Sequence, residues 1–145
     1  MTVIAWDGKT LAADKRSGSS WGAHDTVTKI SRHAGQLLAT SGKGAVALEL
    51  RAWYEAGAEP DKFPAAARTE DGGNLVVITD DRRILQFGTG PYPSEMAGPF
   101  YVIGAGGDIA LAAMHCSRTA AEAVALAIEL NSTCGNGIDT LELNP

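Results

Sequence analysis

Three residues near the start of the chain could do chemistry together: Thr2, Asp14 and Lys29, a hydroxyl, a carboxylate and an ammonium. Thr2 stands directly behind Met1. Removal of that methionine would leave a β-hydroxyl and a free α-amine on the same residue, a pairing in which the amine acts as base for its own hydroxyl. An α-amine has an ordinary pKa of about 8, close enough to neutrality for proton transfer. A retained methionine would turn the amine into an amide, which is not basic. The same threonine also suits the start of any N-terminal strand, because it is β-branched.

Other groupings in the chain carry less. Gly104-Ala105-Gly106-Gly107 precedes a helical pattern, where backbone amides could cradle a phosphate. The dinucleotide fingerprint, however, asks for glycine or alanine where Ile109 stands, and Asp108 adds negative charge, so a tight strand-to-helix turn is expected. Lys43 lies between Gly42 and Gly44 without the Gly-Lys-Ser/Thr run of a phosphate loop. His24, His33 and His115 have no zinc-ligand spacing to one another or to the cysteines. No metal and no cofactor are expected.

The bulk properties narrow the classes further. A chain of 145 residues is expected to form a single domain, residues 1–145, able to bury a core without disulfides or structural metal. Its net charge of −5 argues against nonspecific nucleic-acid binding, which needs a basic footprint. No apolar run approaches the roughly 20 residues of a membrane span. A strand from residue 2 leaves no room for a leader, so a cytoplasmic protein is expected. Cys116 and Cys134 should then be free thiols, and Asn131-Ser132-Thr133 a chance match to a glycosylation sequon.

The elements that must hold these residues can be read in outline. Two apolar runs flank Asp7-Gly8, the signal of a β-hairpin ending at Asp14. A Gly/Ser-rich link over 16–22 leads to extended pieces at 26–31 and 36–40, giving four extended pieces before any helix. Val46, Leu50 and Trp53 mark a helix over 43–56, closed by Gly57. Residues 58–73 and 88–99 read as loops around a hairpin of 74–79 and 84–87. A strand at 100–103 precedes a helix over 109–116 capped by Asp108. Thr119 and Glu122 form a capping box opening a helix to Leu130, and a turn over 131–137 leads to a strand at 138–143. Hairpins without regular βαβ alternation predict an α+β fold, with two stacked antiparallel sheets between helical layers. A doubly wound parallel sheet is the alternative.

In order and spacing, these pieces resemble the proteasome β-subunit family of N-terminal nucleophile hydrolases, most closely its bacterial HslV-type branch. The likeness runs through Thr2-Val3-Ile4-Ala5, Leu11-Ala12-Ala13-Asp14, Thr28-Lys29-Ile30, Leu37-Leu38-Ala39-Thr40-Ser41-Gly42 and Val76-Val77-Ile78-Thr79. It continues through Tyr101 to Gly107, Thr119-Ala120-Ala121-Glu122 and Ile138-Asp139-Thr140-Leu141. The resemblance implies a four-layer αββα sandwich and a threonine peptidase with Thr2 as nucleophile, Lys29 beside it and Asp14 as the acidic partner. A cation such as Lys29 would disfavour the protonated amine, and Asp14 would hold Lys29 charged and in place. An ordinary strand-edge ion pair is the plainer reading of Asp14 and Lys29. For the oxyanion, the resemblance implies a backbone N–H after the strand at 36–40, with Thr40 and Gly42 both candidates.

It also implies a polypeptide substrate, a homo-oligomer that can take ring form, and an ATPase unfoldase as a partner. The chain departs from the family where serine is usual in the Gly-Ser-Gly-Gly turn, having Ala105. It departs again where an Asp and a Ser support the amine, having Asn131 and Cys134. Those departures keep two other classes open. One is a catalytically inactive structural or assembly protein of the same fold; the other is a small-molecule amidase acting as an isolated dimer.

Overall fold

The computed structural model describes residues 1–18 and 24–144 and divides the chain into two compact units. Among the described residues there are eleven strands and three α-helices. The first unit comprises Met1–Ser31 and Gly98–Pro145. Its sheet runs in the order β10-β1-β2-β11, built from Tyr101–Ile103, Ile4–Trp6, Thr10–Asp14 and Ile138–Glu142, with every pair antiparallel. The β1–β2 hairpin forms where the sequence places it. Asp7 Oδ1 accepts from the backbone N–H groups of Lys9 and Thr10, and Gly8 takes φ +94° in the turn between them.

Helices α2 (Gly107–His115) and α3 (Ala120–Leu130) cover one face of this sheet. Val3, Ala5 and Ala12 pack there against Ala110, Met114, Ala123, Val124 and Ala127. So many alanines let the helices lie close to the strands. Ile4, Trp6, Leu11 and Ala13 on the alternate positions are buried as well. Thr119 and Glu122 form the expected capping box at α3, and Asp7 Oδ2 accepts from Ala120 N–H at 2.8 Å. Asp108 is not the cap of α2: Gly106 holds that position and Asp108 lies in the first turn, where its charge still favours the helix. The helix starts earlier because Ala110 N–H already bonds to Gly106 O, and Gly106 itself passes close to Val3. A Cβ there would stand 2.8 Å from Val3 Cβ.

The second unit, Arg32–Ala97, carries most of a five-stranded sheet in the order β5-β6-β7-β8-β9. Its strands are Ile30–His33, Gln36–Gly42, Gly73–Ile78, Ile84–Phe87 and Ser94–Met96. Helix α1 (Gly44–Glu55) packs Leu50 and Trp53 against Leu38, Leu75, Val77 and Phe87. It ends in paired hydrogen bonds, Gly57 N–H to Tyr54 O and Ala58 N–H to Trp53 O. Gly57 supplies the positive φ of +118° that this ending requires.

Several expectations needed correction. The stretch over 58–73 is not plain loop, since Pro60–Lys62 and Ala65–Arg68 are 3-10 turns that bury Phe63 and Ala67. The loop over 88–99 contains β9, which pairs with β8. The extended piece over 26–31 is two strands, β4 (His24–Thr26) and the start of β5, and the link over 16–22 opens with β3 (Arg16–Gly18). The rest of that link, with the other residues of 19–23, lies outside the described residues. β3 and β4 make a third, two-stranded sheet, so six strands rather than four precede the first helix. These pieces are three or four residues long and mostly polar, too short to show a period. The pairs β1–β10, β1–β2, β2–β11, β3–β4, β6–β7, β7–β8 and β8–β9 are all antiparallel, which rules out the doubly wound parallel alternative.

Candidate active site

Within the first unit the structure brings Thr2, Asp14 and Lys29 together. Lys29 Nζ donates to Asp14 Oδ1 at 2.7 Å, to Thr2 Oγ1 at 3.2 Å and to the Met1 carbonyl at 3.1 Å. The Asp14 side chain is 0% exposed and that of Lys29 only 8%. A buried ion pair persists only when the remaining lone pairs are satisfied. Here they are: Val3 N–H donates to Asp14 Oδ1 at 3.1 Å, while Gly135 and Arg16 N–H donate to Oδ2 at 3.0 and 3.3 Å. One carboxylate thus gathers an ammonium and three backbone amides from separate parts of the chain.

Thr2 is fixed by its own backbone. Val3 N–H and O both bond to Asp14, through the carboxylate and the Asp14 N–H. Gly106 N–H donates to Thr2 O at 3.2 Å. Behind the threonine lies Gly104, at φ +97°. A Cβ on Gly104 would overlap the Thr2 carbonyl oxygen and stand 2.6 Å from its carbonyl carbon. The glycine turn therefore serves as a close backrest for the first strand, in keeping with the tight turn expected from the sequence. Gly104, Gly106 and Gly135 were not singled out from the sequence as residues that shape the site. The only signal was the density of glycine in the turns at 104–107 and 131–137.

Gly42 ends β6 in the second unit, at φ +96°, with Thr40 two residues before it. A Cβ at Gly42 would meet Gly73 Cα at 2.6 Å, so close approach of β6 and β7 accounts for glycine there. Asn131 caps α3 and turns inward on its own loop. Its Oδ1 accepts from Thr133 N–H and Oγ1 at 3.0 and 2.6 Å, and its Nδ2 donates to Ala105 O at 3.3 Å.

Cys134 is buried beside Gly106, and Cys116 is exposed; both are free thiols. Burial, with a smaller contribution from the Asp14 charge, pushes the Cys134 thiol above its ordinary pKa. Since the thiolate is the nucleophile, iodoacetamide at pH 7.5 should label Cys116 and spare Cys134 until the protein is denatured. Peptide mapping of the alkylated protein checks this. Among the described residues no group of three or more His, Cys, Asp or Glu could hold a metal, and no helix is long and apolar enough to cross a membrane.

No protein-family model matches the sequence, and no curated protein matches it significantly. Solved structures do match. The structure of Thiobacillus denitrificans BPH in complex with epoxomicin superposes with a TM-score of 0.75 at 20% identity, covering 100% of both chains. Eukaryotic HslV from Trypanosoma brucei gives 0.72 at 19% identity, over 99% of each chain. A Gly-1 mutant of Anbu from Hyphomicrobium sp. strain MC1 gives 0.72 at 14% identity, over 98% of this chain and 81% of that one. The chain has the fold of HslV and related proteasome-like proteins.

Proposed function

We propose that the chain is a proteasome- or HslV-like threonine peptidase that hydrolyses amide bonds with the Thr2 hydroxyl once Met1 has been removed. The observation that carries this reading is the Lys29 ammonium lying between Thr2 Oγ1 and the buried Asp14 carboxylate. In the proposed reaction Thr2 Oγ attacks the scissile carbonyl carbon, and its proton passes through a water to the Thr2 amine. The C–N bond then breaks, the leaving amine takes that proton, and the acyl group remains on Oγ as an ester. Water attacks the ester, releasing the acid and restoring the hydroxyl. Lys29 disfavours protonation of the neighbouring amine, and Asp14 keeps Lys29 in place. The oxyanion donor is assigned to the Gly42 backbone N–H on the resemblance alone.

The same proposal includes a polypeptide substrate, a cytoplasmic homo-oligomer in ring form and an ATPase unfoldase that delivers the polypeptide. It reads residues 1–145 as one domain with the four-layer αββα architecture. What supports the layers is that the four-stranded sheet has α2 and α3 on one face, the five-stranded sheet has α1, and both bury apolar residues on the other face. One observation favours a second reading, an inactive structural or assembly protein: the Asn131 side-chain carbonyl is engaged within its own turn, by Thr133.

Epoxomicin separates the two readings, because BPH of similar fold was solved in complex with it. Intact mass should show loss of Met1 from the expressed chain and then a single covalent epoxomicin adduct at Thr2. In Thr2→Ala the adduct should be absent. Quantitative retention of Met1 with no adduct on a protein trimmed to Thr2 would overturn the peptidase reading.

A further inference from the structure

Arg16 lies two residues beyond Asp14 and is half-buried, yet among the described residues its side chain meets only neutral partners. Nη1 donates to Ser132 O and Nε donates to Asn136 Oδ1 at 3.1 Å. The guanidinium also lies flat against Gly135. A Cβ on Gly135 would stand 2.7 Å from Nη2, 2.9 Å from Cζ and 3.1 Å from Nε. Gly135 has no positive φ, so its backbone would accept alanine, and the Arg16 side chain is what bars it.

From this geometry we propose that Arg16 is a positioning residue for the Thr2 site, acting through the turn at residues 131–136. The chain of contact is short. Arg16 grips both ends of the turn, the turn presents Gly135 N–H to Asp14 Oδ2, and Asp14 Oδ1 holds the Lys29 ammonium against Thr2 Oγ1. Arg16 also contributes its own N–H to the same carboxylate oxygen, which ties strand β3 to the turn. Asn136 Nδ2 anchors the turn's far end to Asp25 O and Thr26 Oγ1 on β4. Planar guanidinium makes two directed bonds at once, so it fixes an orientation that a point charge such as lysine would not. The turn's own Asn131 and Cys134 carry no charge at neutral pH that could do this instead.

This inference rests on the peptidase reading for its effect on reaction but not for its effect on the turn, and the test keeps the two apart. Mature protein, trimmed to Thr2, is treated with epoxomicin in wild-type, Arg16→Ala, Gly135→Ala and doubly substituted forms. Displacement of reacting groups by about 1 Å can cost about 100-fold in rate. Arg16→Ala should therefore lower the maximal adduct-forming rate at least about tenfold, with the half-saturating epoxomicin concentration unchanged. Gly135→Ala, whose methyl displaces the guanidinium, should reproduce that loss. The double variant should be no slower than Arg16→Ala alone, because both act through one contact. Hydrogen exchange at the Gly135 amide should quicken in all three, while the β6–β7 amides stay unchanged.

An Arg16→Ala rate within twofold of wild type, or fully additive losses in the double variant, would overturn the proposal. If wild type itself forms no adduct, the peptidase reading fails, and Gly135 exchange alone decides whether Arg16 holds the turn. Unchanged exchange then overturns it.

Discussion

Asp14→Ala is expected to destabilise the protein by about 3–5 kcal/mol, the cost of leaving a buried ion pair half-made. The substitution removes one acceptor from four donors at once: the Lys29 ammonium and the N–H groups of Val3, Arg16 and Gly135. Lys29→Met removes the other partner of the same pair. It leaves the Asp14 carboxylate with its three backbone donors, so its cost should be smaller, about 1–3 kcal/mol. The asymmetry is the test. Urea unfolding of the two variants should rank Asp14→Ala clearly below Lys29→Met. The reverse order would mean that the ammonium, not the carboxylate, organises this end of the sheet. Neither variant should form an epoxomicin adduct at an appreciable rate, since each removes one of the three grouped side chains.

Gly104→Ala should be the most damaging of the glycine substitutions near Thr2. At φ +97° an L-residue is already strained, by about 1–2 kcal/mol. Its methyl would in addition overlap the Thr2 carbonyl. Gly98→Ala provides the control, because Gly98 has φ +113° but only Phe100 O as near as 4.0 Å. Both variants carry the backbone strain, and only Gly104→Ala carries the overlap. Thermal unfolding should therefore show a larger loss for Gly104→Ala. Its adduct formation should fall by about 100-fold as Thr2 is pushed from Lys29, while Gly98→Ala keeps the wild-type rate. Equal effects from the two would show that the turn yields and that the close approach does not set the position of Thr2.

How much of this was legible beforehand depends on the residue. Asp7-Gly8 announces the first hairpin because only a few turn chemistries fit a two-residue reversal, and Thr119 with Glu122 announces α3 because the cap is local. Thr2, Asp14 and Lys29 could be nominated together only through resemblance. Their meeting depends on a β1–β2 register and a return from β4 that no spacing reveals. β9 was missed because Ser-Glu-Met on an exposed edge has neither alternation nor apolar content. Asp108 was misplaced as a cap because Gly106 holds that position with no side-chain hydrogen bond, and the Val3 contact that asks for glycine there joins distant residues. Arg16 and Gly135 escaped for the same reason: a guanidinium stacked on a glycine leaves no mark in either local sequence.

The strand order β10-β1-β2-β11 has a consequence for the way the molecule comes into being. The hairpin strands β1 and β2 occupy the middle of their sheet and wait for neighbours synthesised about a hundred residues later. Asp7 likewise waits for Ala120, and Asp14 for Gly135. Such distant pairings make folding slow and leave early strand edges open to wrong partners. They also mean that a nascent chain holds an incomplete Thr2 site: the Gly135 amide on Asp14 arrives only after the third helix has been made.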